Sequence, residues 1–457
     1  MTRKSLSLLT KSAFLICCFV LTLASFAQTK SNKGKEFWLG YMKHDSDLGA
    51  GMSLYITSDS NTSGTVSIPG QSWSQNFSVT ANNTTVINIP QSKAYLDCSD
   101  CIESKGVKVV ANDNIVVYSH HYEGNRSDAT LVLPTRTLGK EYYLMAYEQR
   151  SSGNAGRSTF AMVAIKDNTK IKITPACDLR KNGGGTLDKG KTYQITLDEG
   201  EVYSAYAASG TSTYDVTGTY VEVIDTGATA DCRTIAVYSG SSYARVGNCS
   251  GSWPYFNSAD NLYEQMFPTN SWGKRFVLVP ALGRSSDNFR FLAKNDKTQI
   301  IVYKSGGAPD ILNLDAGEYE DVKDVDVTRM VISNQPIMAA QFQKTSLCDG
   351  RNRTGDPSMT ILNPLEQTLS DITLYSSDYY DIDNHYINIV IPSKDKNSFK
   401  LDGKTVSWSS VPFFSSYSYA RESVSKGNHR LTASGGFIAN AYGEGQYESY
   451  GYAAGAN

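Results

Sequence analysis

The sequence has few histidines, no excess of basic charge and no long apolar run after its first residues. Its 457 residues include five histidines, and 43 basic side chains stand against 45 acidic ones. A chain without a basic excess lacks the electrostatic footprint of nucleic-acid or anionic-lipid binding. After residue 27 no run approaches the roughly 20 apolar residues that a membrane-spanning helix needs. We therefore expect no nucleic-acid partner and no transmembrane segment in the mature chain.

Motifs for catalysis and for metal binding are also missing. No Gly-x-Ser-x-Gly elbow and no His-Glu-x-x-His sequence occurs. Adjacent His120 and His121 follow a strand pattern, so their side chains should point to opposite faces and not converge on one metal. The acidic segment 378–384 could supply some calcium ligands, but it does not match a calcium loop, and a solvated turn is favoured. We expect no catalytic residues, no metal and no cofactor, and hence no enzyme.

The first residues show the pattern of a secretory signal. Arg3, Lys4 and Lys11 precede an apolar run over 13–24, which is too short to span a bilayer comfortably. Small residues follow, and we predict cleavage after Ala27. The alternative is a retained membrane anchor. Removal of the signal leaves 40 basic and 45 acidic side chains, a formal balance of −5, and predicts a secreted or cell-surface protein.

Six cysteines remain after the signal, and an even number in an oxidising compartment favours disulfides over free thiols. Cys232 and Cys249 flank one strand and loop, and we predict that they pair. Cys98 and Cys101 could form a local bridge, a redox pair or half of a metal site. A redox pair usually lies in a βαβ setting, which is missing here, so a structural bridge is favoured. The six are Cys98, Cys101, Cys177, Cys232, Cys249 and Cys348.

The composition and an internal repeat both indicate β-sheet. The chain has 29 tyrosines and 37 glycines, and aromatic and β-branched runs between turn residues are typical of strands. Four segments share one outline, an alternating apolar strand, a polar turn and a second strand. We predict hairpins at 52–68, 160–173, 289–302 and 386–401, preceded by strands that begin at Gly34, Gly139, Gly273 and Ser370. Their inward-facing residues should be Leu54, Ile56, Met162, Ala164, Phe291, Ala293, Ile387 and Ile389.

The repeat predicts an all-β chain of tandem β-sandwich-like modules, four of them at roughly 100 residues each. A β-propeller is the alternative, but propeller blades repeat at about 40–50 residues. The predicted organisation is a signal peptide at 1–27 and modules at 28–135, 136–270, 271–368 and 369–457.

Seven short motifs along these modules occur in the order seen in one protein family. They are Gly34-Lys-Glu-Phe-Trp, Leu131-Val-Leu-Pro-Thr with Leu138-Gly-Lys-Glu-Tyr-Tyr143, Asp167-Asn-Thr-Lys-Ile-Lys-Ile-Thr174, Val237-Tyr-Ser-Gly240, Glu264-Gln-Met-Phe-Pro268, Gly355-Asp-Pro-Ser-Met359 and Ser449-Tyr-Gly-Tyr-Ala-Ala-Gly455. With these motifs the chain resembles the N-terminal domain of the IgG Fc-binding proteins, which include an animal mucus protein and secreted bacterial proteins. The resemblance implies a binding function and brings no catalytic residues. Immunoglobulin Fc enters as a possible partner through the resemblance alone.

Aromatic side chains are the candidate ligand contacts, because tyrosine and tryptophan offer large rigid surfaces with a polar edge. One group lies beside Cys249 and the other in a Tyr/Gly-rich C-terminal segment; the alternative is that these rings pack between modules. The candidates are Trp253, Tyr255, Phe256, Tyr442, Tyr447 and Tyr450. We predict a recognition or adhesion protein that binds an extracellular glycoprotein, glycan or matrix partner. A polymer-degrading hydrolase and a structural envelope or matrix component are the alternatives.

Overall fold

The fold is built almost wholly from β-strands. The computed structural model describes residues 32–44, 51–123, 126–148, 156–211, 213–224, 233–247, 259–349, 354–377 and 382–455. These described residues contain one α-helix, α1 (Gln91–Ala94). Short 3-10 helices lie at Pro69–Gln71, Thr135–Thr137, Thr269–Ser271, Ser346–Asp349 and Lys396–Ser398. The all-β prediction is confirmed.

The strands fall into four successive units that share one pairing pattern. Unit 1 contains β1 (Gly34–Leu39), β2 (Gly51–Thr57), β3 (Thr62–Ile68), β4 (Trp73–Val79), β5 (Thr84–Asn88), β6 (Cys101–Glu103), β7 (Val107–Glu123) and β8 (Arg126–Val132). Unit 2 contains β9 (Glu141–Tyr143), β10 (Ser158–Ala164), β11 (Thr169–Thr174), β12 (Leu179–Arg180), β13 (Thr186–Leu187), β14 (Tyr193–Leu197), β15 (Val202–Tyr206), β16 (Tyr220–Val223), β17 (Ile235–Ala244) and β18 (Asp260–Gln265). Unit 3 contains β19 (Gly273–Leu278), β20 (Asp287–Ala293), β21 (Thr298–Val302), β22 (Asp310–Leu314), β23 (Tyr319–Val325), β24 (Arg329–Gln343) and β25 (Ser358–Ile361). Unit 4 contains β26 (Leu369–Ser376), β27 (Ile382–Pro392), β28 (Lys400–Leu401), β29 (Ser409–Val411), β30 (Phe414–Val424), β31 (Gly427–Gly445) and β32 (Glu448–Ala453).

A long strand near the end of each unit belongs to two sheets. In unit 1, the first half of β7 pairs with β1 and β3, and its second half pairs with β2 and β8. The strands β24 in unit 3 and β31 in unit 4 are shared in the same way. In unit 2 two strands, β16 and β17, take these two roles. Each unit is therefore a pair of antiparallel sheets, which confirms the sandwich-like prediction.

The first strand of every unit meets its partner in the same register. The equivalent pairs are Gly34–Ile115, Gly139–Ile235, Gly273–Ile337 and Leu369–Phe437. In the first three units this position is a glycine packed on a proline, and a Cβ atom there would collide with the ring of Pro134, Pro268 or Pro364. The repeated glycine is therefore a requirement of packing.

The predicted hairpins were wrong in one respect. The second and third strands of a unit, such as β2 and β3, do not pair with each other; they join opposite sheets, and the polar turn carries the chain across. The predicted inward residues are all buried. Neighbouring side chains on the other face are buried too, as in Ser158–Ala164, where all seven residues are buried. Alternation therefore does not distinguish the two faces here.

The last strands of the four units, β8, β18, β25 and β32, contact one another. Asp128 on β8 links them, because its carboxylate accepts one backbone N–H from each strand. Oδ1 accepts from Ala129 (3.0 Å) and Gly451 (3.2 Å), and Oδ2 accepts from Tyr263 (3.1 Å) and Met359 (3.2 Å). We call this the four-strand contact. The division into modules at residues 135, 270 and 368 stays a prediction, because strand pairing does not test separate folding.

One strand of unit 1 pairs with a sheet of unit 2. Strand β6 of unit 1 pairs with β15 and extends a sheet of unit 2, through Cys101–Ser204, Ile102–Tyr203 and Glu103–Val202. This exchange brings the loop before β6 against the β12–β13 hairpin of unit 2, where the candidate site lies.

Candidate functional site

A cleft of about 610 Å³ opens between the loop before β6 and the β12–β13 hairpin. Asp97, Ser99 and Glu103 line the side from unit 1. Arg180, Lys181 and the turn that follows line the other side, together with Tyr206 of β15. The cleft is the candidate functional site, because its size suits a small ligand or one residue of a larger partner.

Backbone and hydroxyl hydrogen bonds hold the two walls together. The Ser99 hydroxyl donates to the carbonyl of Arg180 (2.6 Å) and accepts the N–H of Tyr206 (3.1 Å). The Ser204 hydroxyl donates to the carbonyl of Cys98 (2.7 Å). Because Ser99 is itself buried, these contacts fix the spacing of the walls.

A disulfide and a left-handed turn shape the loop on the unit 1 side. Cys98 and Cys101 are bonded to each other, as the structural-bridge interpretation predicts. Asp100 between them has φ of +57°, a conformation that aspartate tolerates better than most residues. Its carboxylate accepts the hydroxyl of Tyr203 (3.0 Å). Burial raises the pKa of Tyr203, and the charge of Asp100 adds to this rise, so the phenol stays protonated as a donor.

The charges in the cleft do not balance. Asp97 is ion-paired with Lys43 (2.5 Å), and Glu103 with Lys105 (2.6 Å). Both Arg180 and Lys181 are exposed, and neither side chain forms an ion pair or hydrogen bond in the described part of the chain. Two positive side chains of the cleft therefore have no ion-pair partner among the described residues.

A third cation lies near these two. Burial lowers the pKa of Arg157; Tyr206 opposes this change, and the charge of Arg180 adds to it. Arg157 and Arg180 therefore repel each other electrostatically.

The other cysteines differ in part from the expectation. Cys177 is a buried free thiol, and burial raises its pKa to about 12, so it is poorly reactive. The even number of cysteines does not translate into complete pairing. Cys348 is disulfide-bonded. Cys232 and Cys249 lie outside the described residues, so the bridge between these two stays a prediction.

The predicted aromatic contacts divide into three cases. Trp253, Tyr255 and Phe256 lie outside the described residues. Tyr442 and Tyr450 are buried, which corrects their assignment as ligand contacts. The Tyr442 hydroxyl accepts the N–H of Leu282 (2.6 Å) and donates to Asn388 (2.9 Å), and the Tyr450 hydroxyl lies 3.2 Å from Nδ1 of His385. These two rings pack inside the protein. Tyr447 is half-buried, with φ of +60°.

The family relationship follows from a match that covers most of the chain. A model of the family described as IgGFc binding protein matches residues 128–443. The chain belongs to the IgGFc-binding protein family. The resemblance inferred from the seven motifs is confirmed. The cleft residues Arg180, Lys181 and Tyr206 lie inside the matched span, whereas the loop from Asp97 to Glu103 lies before it.

One curated relative and two solved structures show limited similarity to this family member. The human IgGFc-binding protein is 24% identical over 267 residues, which are 58% of this chain and 4% of the human protein. The chain thus spans a small part of that relative. An α-L-rhamnosidase of Streptomyces avermitilis has 8% identity and a TM-score of 0.15, over 76% of this chain and 44% of the enzyme. A glycoside hydrolase family 32 structure from Bifidobacterium adolescentis has 8% identity and a TM-score of 0.16, over 93% and 96%. Scores this low carry no argument.

Among the described residues, no group of three or more His, Cys, Asp or Glu side chains is arranged to hold a metal ion. Within the same part of this IgGFc-binding family member, no helix has the length and apolar character for crossing a bilayer.

The sequence reasoning missed Arg180 and Lys181. The run Arg180-Lys-Asn-Gly-Gly-Gly185 is recognisable as an exposed basic turn. Its neighbour across the cleft is not recognisable, because Ser99 and Arg180 are 81 residues apart and meet only through the strand exchange.

Proposed function

We propose that this protein is a secreted or cell-surface recognition protein that binds an extracellular glycoprotein, glycan or matrix partner and catalyses no reaction. The observation that carries the proposal is the cleft, whose walls are held by hydrogen bonds and carry two cations that have no ion-pair partner among the described residues. Preorganised walls reduce the entropy lost on binding. The secretory-signal pattern supports an exported location, and membership of a family named for binding supports recognition. Immunoglobulin Fc is one partner to test.

A hydrolase is the second candidate, because Asp97 and Glu103 line the same cleft and glycosidases use two carboxylates. Both carboxylates are already engaged by lysine side chains. These ion pairs already account for both carboxylates, and we therefore favour binding over cleavage.

The experiment is capture by the immobilised exported protein from three sources: mucus glycoprotein, immunoglobulin and a cell-envelope fraction. We expect at least one source to yield a bound partner, and the double substitution Arg180→Glu with Lys181→Glu to abolish its capture. The matched control is Lys189→Glu, an exposed lysine of the same unit that does not line the cleft; it should bind like the wild type.

Equal capture by the wild type and the double variant would exclude the cleft as the binding site. Release of reducing sugars from the glycoprotein by the wild type would favour the hydrolase instead.

A further inference from the structure

We propose that the cleft binds an acidic sugar, a saccharide unit that carries a carboxylate or a sulfate. This inference rests on the proposed function and names its ligand class. Its first support is the charge inventory: the acids of the cleft are neutralised by Lys43 and Lys105, while Arg180 and Lys181 are not paired within the described residues. The carboxylate of Asp100, which accepts the backbone N–H of Asn182 (3.4 Å), offsets one of these charges, so the cleft presents a net positive charge to whatever enters it.

The side chain of Arg180 can recognise the shape of an anion as well as its charge. A guanidinium is a planar fork whose N–H groups match the paired oxygens of a carboxylate or sulfate. The lysine beside it adds a mobile point charge. Like charges held close together repel, so one anion bound between them would satisfy several groups at once.

In the turn after Lys181, the N–H groups of Asn182 and Gly184 are already hydrogen-bonded, to the carboxylate of Asp100 (3.4 Å) and to the carbonyl of Lys181 (3.2 Å), and the backbone of Gly183 is the part that stays open to a ligand. Gly183 and Gly184 have φ of +77° and +108°, and a Cβ atom at either position would meet nothing within 4 Å. Glycine is the residue that adopts these angles without strain and lets a ligand approach the backbone closely. Backbone N–H and C=O groups are suitable partners for sugar hydroxyls.

Tyr206 supplies the remaining feature that a sugar requires. Its ring is partly exposed and lines the cleft, and tyrosine offers a rigid apolar face with a polar edge. The volume of about 610 Å³ falls within the range of about 300–1,000 Å³ for small-ligand sites. A cation pair, an aromatic face and accessible backbone together fit a saccharide better than an extended acidic peptide, which would need a longer groove.

The test titrates the purified exported protein with sialyllactose, lactose sulfate and neutral lactose by calorimetry. We expect both charged sugars to bind, with affinity that falls as salt is added, and lactose to bind at least about ten-fold more weakly. The double substitution Arg180→Ala with Lys181→Ala should lose about ten-fold or more for the charged sugars. The control Lys189→Ala should leave all three titrations unchanged.

Equal binding of lactose and sialyllactose, or full binding by the double variant, would overturn the inference. Binding of a polyglutamate peptide but not of either charged sugar would move the ligand to the acidic-peptide class. The experiments also distinguish failure of the acidic-sugar assignment from failure of the proposed function. If sialidase and sulfatase treatment of a captured partner changes nothing while the Glu double variant still abolishes capture, the recognition role stands and the acidic-sugar assignment does not.

Discussion

His120 and His121 show how one pair of neighbouring residues serves two interfaces. His120 lies with its ring 6.2 Å from that of Tyr450 in unit 4, and His121 lies 5.8 Å from the ring of Tyr263 in unit 2. The prediction that they point to opposite faces is confirmed. Burial lowers the pKa of His120 to about 3 and that of His121 well below its ordinary value, with nearby His44 and His120 adding to the second shift. Both imidazoles are therefore neutral and pack between units.

This burial predicts loss of stability in mild acid. The unfolded chain takes up a proton on His120 below about pH 6.5, whereas the folded protein resists until about pH 3, so stability falls as pH drops through this window. Between pH 7 and pH 5 each such histidine should cost about 2 kcal/mol. Urea unfolding at both pH values should show a smaller loss for His120→Gln than for the wild type. Tyr55→Phe is the control, because it removes the hydroxyl 3.3 Å from the His120 imidazole but keeps the aromatic ring and the histidine. If the loss of stability between pH 7 and pH 5 is the same in His120→Gln as in the wild type, the argument is contradicted.

At the level of elements, one contact recurs in the first three units: the glycine at the start of the unit packs against a proline just after the last strand of the same unit. We expect Gly139→Ala to destabilise the protein by about 1–3 kcal/mol, because the new methyl group meets the ring of Pro268 in a packed position. Gly307→Ala is the matched control, since a Cβ atom there meets nothing within 4 Å. Urea midpoints compare the two. Adding Pro268→Gly, which removes the Cβ atom that the new methyl group would meet at 2.4 Å, should restore part of the loss. A loss of equal size in both glycine variants would contradict the packing account.

The same elements show what could be predicted from the sequence. Strand positions and the four-fold repeat were visible because turn residues interrupt apolar runs at regular spacing. The partner of each strand was not visible, since β10 is buried on both faces and shows no period of two. The cleft was hidden for a related reason. Cys98 and Cys101 were identified, but only the pairing of β6 with β15 brings their loop to Arg180.

At the scale of the whole molecule, Asp128 is the residue on which all four units converge. Burial raises its pKa well above the ordinary range, and the four N–H groups around it oppose the rise. Asp260 and Glu264 on β18 are also buried carboxyls whose pKa values burial raises, and the charge of Asp356 adds to the shift of Asp260. The four-strand contact thus places acidic groups in the interior and uses backbone N–H groups to stabilise them.

Removing this acceptor should therefore affect the entire protein. Asp128→Ala leaves four buried N–H groups without their acceptor, and we expect a loss of at least about 3 kcal/mol. Asp128→Asn keeps one acceptor oxygen and should lose less. Asp113→Ala, at an exposed aspartate, serves as the control. Denaturant unfolding followed by tyrosine fluorescence gives the comparison, and an effect of Asp128→Ala no larger than that of Asp113→Ala would show that the contact is not cooperative.

The four-strand contact also has a consequence for the order in which parts of the chain fold. Strands β8, β18 and β25 emerge during synthesis long before β32, yet the bond from Gly451 to Asp128 spans 323 residues of chain. Contacts between distant parts of a chain form slowly, because the ends of a long loop must first find each other. The first three sandwiches can pair their own strands early, while the acidic interior stays open to water. We therefore expect closure to be a late step of folding, before which the strands are accessible to chaperones and proteases.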